Sequence, residues 1–155
     1  MKEQSTYADQ LITNGIRQMG KGIERTISSE IRVGIPSSII GLAIGAGDSA
    51  WHNRDVIPSM VRGGGSGAVV GIIAGWEYAM QEYNANAGSE GLPQAEWYDW
   101  LIAHVLIVGM LVTNKRNVSK HGLIAETAIV AQGINPITVS GARHVIGGTI
   151  TKIIG

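Results

Sequence analysis

The chain has 155 residues, zero formal net charge and no cysteine, which points to one domain and excludes disulfides, thiolate catalysis and cysteine metal sites. Balanced charge also excludes a global basic field for nucleic acid, so no nucleic-acid specificity is expected. Charged residues make up 15%, well below the roughly 25% of soluble domains, yet a mean hydropathy of +0.15 is too low for a chain that is mostly transmembrane.

Residues 1–31 are polar and lack the apolar core of a cleavable signal peptide. They read as an amphipathic helix. Leu11 or Ile12, Ile16, Met19, Ile23 and Ile27 fall at helical spacing, with Arg17, Lys21 and Arg25 on other faces. Such a helix packs on the rest of the chain, or lies on a membrane surface or a partner.

Residues 32–80 carry the strongest pattern. Ser37, Gly41, Gly45 and Ser49 recur every fourth residue, and so do Gly63, Gly67, Gly71 and Gly75. On an α-helix each set forms one stripe. A stripe of small residues lets a second backbone approach closely, as in small-xxx-small packing of membrane helices. Four interior glycines cost roughly 4 kcal/mol relative to alanine, so packing must offset them. Without such packing, residues 63–67 are a flexible GGGSG linker. Two stripes joined by a short loop predict an αα-hairpin. Pro36 suits the first turn of its first helix, and Asp48, Ser49 and Asn53-Arg54-Asp55 end it. Pro58 sits in the loop before the second helix. Trp76 and Tyr78, near the end of the second stripe, are expected at a membrane–water boundary.

Residues 81–96 form an acidic linker without Lys or Arg, in which Pro93 reads as the first turn of the next helix. Trp97, Tyr98 and Trp100 precede an apolar run over 101–112, and Lys115, Arg116 and Lys120 follow it. Membrane-inserted helices are flanked this way, and so are buried helices with a charged C-terminus. Residues 118–132 are alanine-rich and predicted helical, until Gly133-Ile134-Asn135-Pro136 breaks them. In 137–155, Val139, Ile146, Ile150 and Ile153 fit a helix face, and a strand also fits.

The three apolar runs are each about 14 residues, against the roughly 20 that a spanning helix needs. Flanking Trp, Tyr and Ser extend them. Loop charges conflict: the acidic linker favours the outside, while both 115–120 and the basic residues of the N-terminal segment favour the inside. Either the first stripe does not cross, or the chain enters by an unusual route, delivered from a virion or inserted as a preformed oligomer.

Candidate chemistry is sparse. Gly63-x-Gly65-x-x-Ala68 formally fits a dinucleotide fingerprint, without the preceding strand or alternating βα pattern that gives it meaning. His52, His104, His121 and His144 have no metal-ligand spacing, so neither metal nor cofactor is expected. His104 lies inside an apolar run and reads as pore-lining or pH-sensing, or as a polar-core imidazole bonded to backbone or to a neighbouring helix. Glu126 is its candidate partner. Asp48 and Glu77, at the ends of the stripes, read as capping or solvated residues. No carboxylate pair or Ser/His/Asp set stands at a catalytic spacing, so no enzyme and no catalytic residues are expected.

The two stripes, over residues 37–75, resemble the glycine-zipper helices of small membrane-associated and pore-forming proteins. These include phage holins, phage ejection or virion-membrane proteins, and bacterial pore-forming toxins. The resemblance implies helix oligomerisation in or on a bilayer. The spans are shorter, and the tail longer, than a holin's. The expected fold is mainly α: a glycine-zipper helical hairpin, a third apolar helix and amphipathic terminal helices. The expected function is that of a non-enzymatic homo-oligomer associated with a bacterial or virion membrane, as a channel-forming component of a phage particle or secretion machine. The alternative is a structural subunit buried in a large soluble assembly such as a virion interior, where other subunits cover the apolar surface. A small nucleotide-binding enzyme, resting on the fingerprint alone, is a third class.

Overall fold

The computed structural model describes residues 2–114 and 130–154, and all regular structure among them is helical. The chain is mainly α, as its patterning predicts. Its first third makes one long spine: α1 (Lys2–Ser29), a π-helical turn (Glu30–Gly34) and α2 (Ile35–His52). Asn53, left-handed at φ 51°, ends the spine and turns the chain through Asn53-Arg54-Asp55 into α3 (Val56–Ala87). An extended segment then leads to α4 (Trp97–Asn114). Residues 130–133 are helical, and α5 (Pro136–Ile154) closes the chain.

Both partners of the spine run antiparallel to it. The first part of α3 packs along α2, and its later part passes the π turn to reach α1, where Gly75 lies over Ser29. α5 packs along the N-terminal part of α1, with Thr138 at Gly22, Gly141 at Gly15 and Gly148 at Ala8. α4 leans on α5, and there are two small cores, the first closed by α4. One holds Ile72, Trp76, Ala103, Ile107 and Ala131; the other holds Ala79, Tyr83, Ala87, Leu92, Ala95 and Ile137.

The π turn has a geometric role. One residue is about 100° of rotation on an α-helix. In α1 the buried small residues Ala8, Gly15, Gly22 and Ser29 recur every seventh position, a repeat that slips by about 20° per heptad. In α2 the buried Gly41, Gly45 and Ser49 recur every fourth and slip the other way. The wider turn absorbs about one residue, and this keeps both stripes on the same side of a single spine.

Several sequence expectations change. The predicted apolar face of α1 is buried only in part: Leu11, Ile12 and Met19 are half-buried against α5, but Ile16, Ile23 and Ile27 are exposed, while Ala8, Gly15, Gln18, Gly22 and Thr26 are buried. Close approach of α5 selects small residues there, and the isoleucines are left outward. The linker is shorter than predicted, because α3 continues through 81–87 with Tyr83 and Ala87 turned into the core. Pro93 does not start a helix. It lies in the extended segment, and α4 begins at Trp97, where the Asp99 carboxylate accepts the Glu96 N–H at 2.9 Å. The tail after Pro136 is a helix rather than a strand. Asn135 Oδ1 accepts the N–H groups of Ile137 and Thr138, and Thr138 Oγ1 accepts the Asn135 N–H, all at 3.0 Å. This reciprocal cap fixes the helix start. Of Val139, Ile146, Ile150 and Ile153, only Val139 is partly buried; the other three are exposed.

Candidate functional site

The α2–α3 seam is built from the two small-residue stripes. A Cβ added at Gly41 would strike the Gly63 carbonyl oxygen, and one at Gly63 would strike that of Gly41. The same holds at Gly45 against Ser59, and at Gly67 against Ser37. At Gly71 an added Cβ would lie 2.7 Å from the Gly34 Cα, and at Gly75 3.3 Å from Ser29 Oγ. Ser49 is buried at the turn end of the seam. The GGGSG segment is therefore helix interior, and its glycines let the two backbones touch. The same location disposes of the dinucleotide fingerprint: Gly63, Gly65 and Ala68 lie inside α3, where their N–H groups belong to the helix ladder.

Outside the seam the hairpin is apolar. Residues 33–47 and 63–76 carry no charged side chain, which makes a slab about 22 Å deep at 1.5 Å per residue. Ile39, Ile40 and Ile44 on α2, and Val69, Val70 and Ile73 on α3, are exposed. Two helical stretches, Thr6–His52 and Val56–Ala87, are long and apolar enough to cross a membrane, and their most apolar windows are only 11% and 22% buried within the protein. The core helix of a soluble protein hides most of such a window.

Beyond the slab lies a polar head. Asp99 is fully buried (0% exposed), and Arg143 meets it with two parallel bonds, Nε to Oδ1 at 3.1 Å and Nη2 to Oδ2 at 3.2 Å. The guanidinium also sits over the Tyr98 ring, 4.9 Å from its centroid. Burial disfavours the charge on Arg143, but the bonds and the charge of Asp99 outweigh it and raise its pKa. Buried Gln18 donates to the Pro93 carbonyl at 3.2 Å, and Tyr83 donates its hydroxyl to the same oxygen at 2.7 Å. Asn84 clamps Ala95 in both directions at 2.8 Å. These bonds pin the extended segment to α1 and α3.

The oppositely charged segments of the sequence meet in the same place. Lys21 of α1 pairs with Glu90 at 3.6 Å, and Arg25 pairs with Glu82. The basic N-terminal helix and the acidic segment lie side by side and neutralise one another. The opposite charges that pull the two segments to opposite sides in a loop-charge reading are paired with each other in the fold.

The predicted boundary residues are dispersed. Trp76 is not at a surface: it is 1% exposed, and its Nε1 donates to the Ala131 carbonyl at 3.1 Å. It faces α4 and residues 130–133, packed with Ala103, Ile107 and Ala131. Tyr78 and Trp97 are exposed, and Tyr98 and Trp100 are partly buried. Lys115, Arg116, Lys120, His121 and Glu126 lie outside the described residues. His104 occupies an aromatic niche. Its ring lies 3.7 Å from that of Trp100 and edge-on to Trp76 at 5.0 Å, and Nδ1 donates to the Trp100 carbonyl at 2.8 Å. Its buried Nε2 has no hydrogen-bond partner among the described residues. Asp48 faces His52 and Arg54 at the turn, and Glu77 is exposed. Among the described residues no cluster of His, Asp and Glu is arranged to hold a metal.

The Asp99–Arg143 pair escaped sequence reading because its partners are 44 positions apart. The only local signal is an aspartate at the start of an otherwise apolar helix. No protein-family model, no curated protein and no solved structure matches the chain.

Proposed function

We propose that this is a non-enzymatic, oligomeric membrane-associated protein whose α2–α3 hairpin inserts into a bilayer while the polar head stays at the surface. One observation carries the reading. The seam hides the backbone between two small-residue stripes, and the outward faces of both helices are isoleucine, valine and leucine over a slab without charge. In lipid, helix pairs gain from such close backbone packing, and branched apolar side chains are the face that hydrocarbon accepts. The slab is shallower than the roughly 30 Å hydrocarbon core. Arg32 and Arg62, at its two margins, have stems long enough to snorkel, and the remaining mismatch is met by local thinning.

The test is flotation of the purified chain with liposomes, followed by a carbonate wash. Insertion predicts that the protein floats and resists carbonate. A defined particle that stays at the bottom overturns the reading.

A second reading, a subunit of a larger soluble assembly, is favoured by a separate feature. Ile16 and Ile23 on α1, next to Arg17 and Lys21, and Ile146 and Ile150 on α5, on the part of the helix that carries the Lys152–Asp9 ion pair, are exposed in the head, where hydrocarbon is excluded. Protein contact suits that surface. It predicts solubility without detergent once neighbours are present.

A further inference from the structure

The hairpin tip is unusual for a turn. Trp51 is 86% exposed and Ile57 is 75% exposed, with Val56 exposed beside it. Beside the turn and the first turns of α3 lies an open cleft of about 370 Å³, lined by Asn53, Arg54, Asp55, Pro58, Ser59 and Arg62. Arg62 makes no hydrogen bond or ion pair with any described residue, and Arg54 reaches Asp48 only at 3.5 Å with both side chains exposed. Asp55 precedes α3 without a side-chain cap bond, so the first-turn N–H groups of Val56 and Ile57 lack an intrahelical acceptor. Two guanidinium groups, a helix start and a cleft thus converge, flanked by an indole and an isoleucine.

We propose that this tip is a phospholipid headgroup site, in which Arg54 and Arg62 hold a phosphodiester and Trp51 and Ile57 enter the adjoining acyl region. The proposal rests on the membrane reading above. The chemistry is complementary at each level. Arginine matches phosphate oxygens with paired N–H donors. Orphan helix N–H groups favour an anion. Tryptophan collects at the water–hydrocarbon boundary. Asp48 and Asp55 leave the tip without net positive charge, so the site takes a phosphate held locally rather than a strongly anionic surface. The slab lies immediately behind: Arg62 precedes the uncharged stretch of α3, and Asp48 follows that of α2. The tip therefore sits at the layer where an inserted hairpin meets headgroups.

The absence of cysteine makes the test clean. Full-length Val56→Cys carries a single environment-sensitive fluorophore at the tip and is reconstituted in phosphatidylcholine vesicles, or in phosphate-free digalactosyl-diacylglycerol vesicles. Headgroup nitroxide and aqueous iodide serve as quenchers. In phosphatidylcholine the label is quenched by the headgroup nitroxide, and adding Arg54→Gln and Arg62→Gln lowers the headgroup-to-iodide quenching ratio severalfold, through loss of the charge-assisted hydrogen bonds to the phosphate. In the phosphate-free vesicles the arginine pair makes no difference. Equal ratios with and without the arginines in phosphatidylcholine, or an equal loss in both lipids, overturn the proposal. Flotation of the same samples separates the causes. A floating protein whose tip label sees only iodide sinks the headgroup site alone, and a protein that does not float sinks both readings.

Discussion

A single added methyl group distinguishes the glycines of the seam from those elsewhere. At Gly41 it would press into the Gly63 carbonyl, whereas at Gly47, on the same helix, it would meet nothing within 4 Å. Gly41→Ala is therefore expected to destabilise the fold by about 1–3 kcal/mol, as overpacking does. Gly47→Ala is expected to be neutral or to stabilise by up to about 1 kcal/mol through helix propensity. Thermal melts of the two variants in the same detergent check the contrast, and equal shifts would remove the seam as the reason for these glycines. Gly67→Leu and Gly71→Leu are the stronger versions and are expected to part the helices altogether. In the head, Arg143→Met leaves the Asp99 carboxylate buried without its partner. The expected cost is roughly 3 kcal/mol, the lower end for a broken buried pair, because Arg143 itself is 39% exposed. Denaturant titration reads it. Asp99→Asn, which keeps an acceptor for the guanidinium, should cost less.

At the scale of elements, the π turn decides whether one helix serves two partners. Its extra residue aligns the stripe that meets α5 with the stripe that meets α3. Inserting one alanine after Val33 exceeds the single residue that the turn absorbs, and is expected to rotate α2 by about 100° relative to α1. Helix content by circular dichroism should then persist. A disulfide between Ser37→Cys and Ser66→Cys, neighbours of the facing stripe positions, should change its rate of formation at least severalfold. If crosslinking is unchanged, the turn is a local irregularity without a phasing role. The π turn has no sequence signature: residues 30–34 read as ordinary helix, and the wider turn exists because packing on both sides demands one phase. The alternation of Ile16, Ile23 and Ile27 misled for a related reason. Periodicity reports that a face is apolar; it does not report whether protein, lipid or a second copy covers it.

For the whole molecule, the apolar surface divides into two kinds. Around the hairpin it is continuous and free of charge, which suits lipid. In the head it is interrupted by Arg17, Lys21 and Glu24, which suits a protein partner. Ile16→Glu combined with Ile23→Glu is expected to weaken self-association by more than about tenfold per isoleucine, the value of burying that side chain, while flotation with liposomes stays unchanged. Sedimentation in detergent and flotation, run on the same variant, separate the two surfaces. Unchanged sedimentation would assign the head face to solvent.

The sequence by itself determined the class and the hinge points. Small residues at every fourth position specify a close helix pair because glycine alone removes the Cβ that would hold two backbones apart, and this needs no knowledge of the partner. Asn53-Arg54-Asp55 and Asn135-Pro136 mark turns through local chemistry of the same kind. Only the tertiary structure revealed the second close seam, where α5 packs on Gly15 and Gly22 of α1. It brought Asp99 to Arg143, and Lys21 and Arg25 to the acidic segment. It also buried Trp76 where a boundary residue was expected. Those outcomes depend on contacts between distant positions, and an antiparallel arrangement of α3 and α5 along one spine is what sets them. A sequence pattern with local period carries no information about that arrangement.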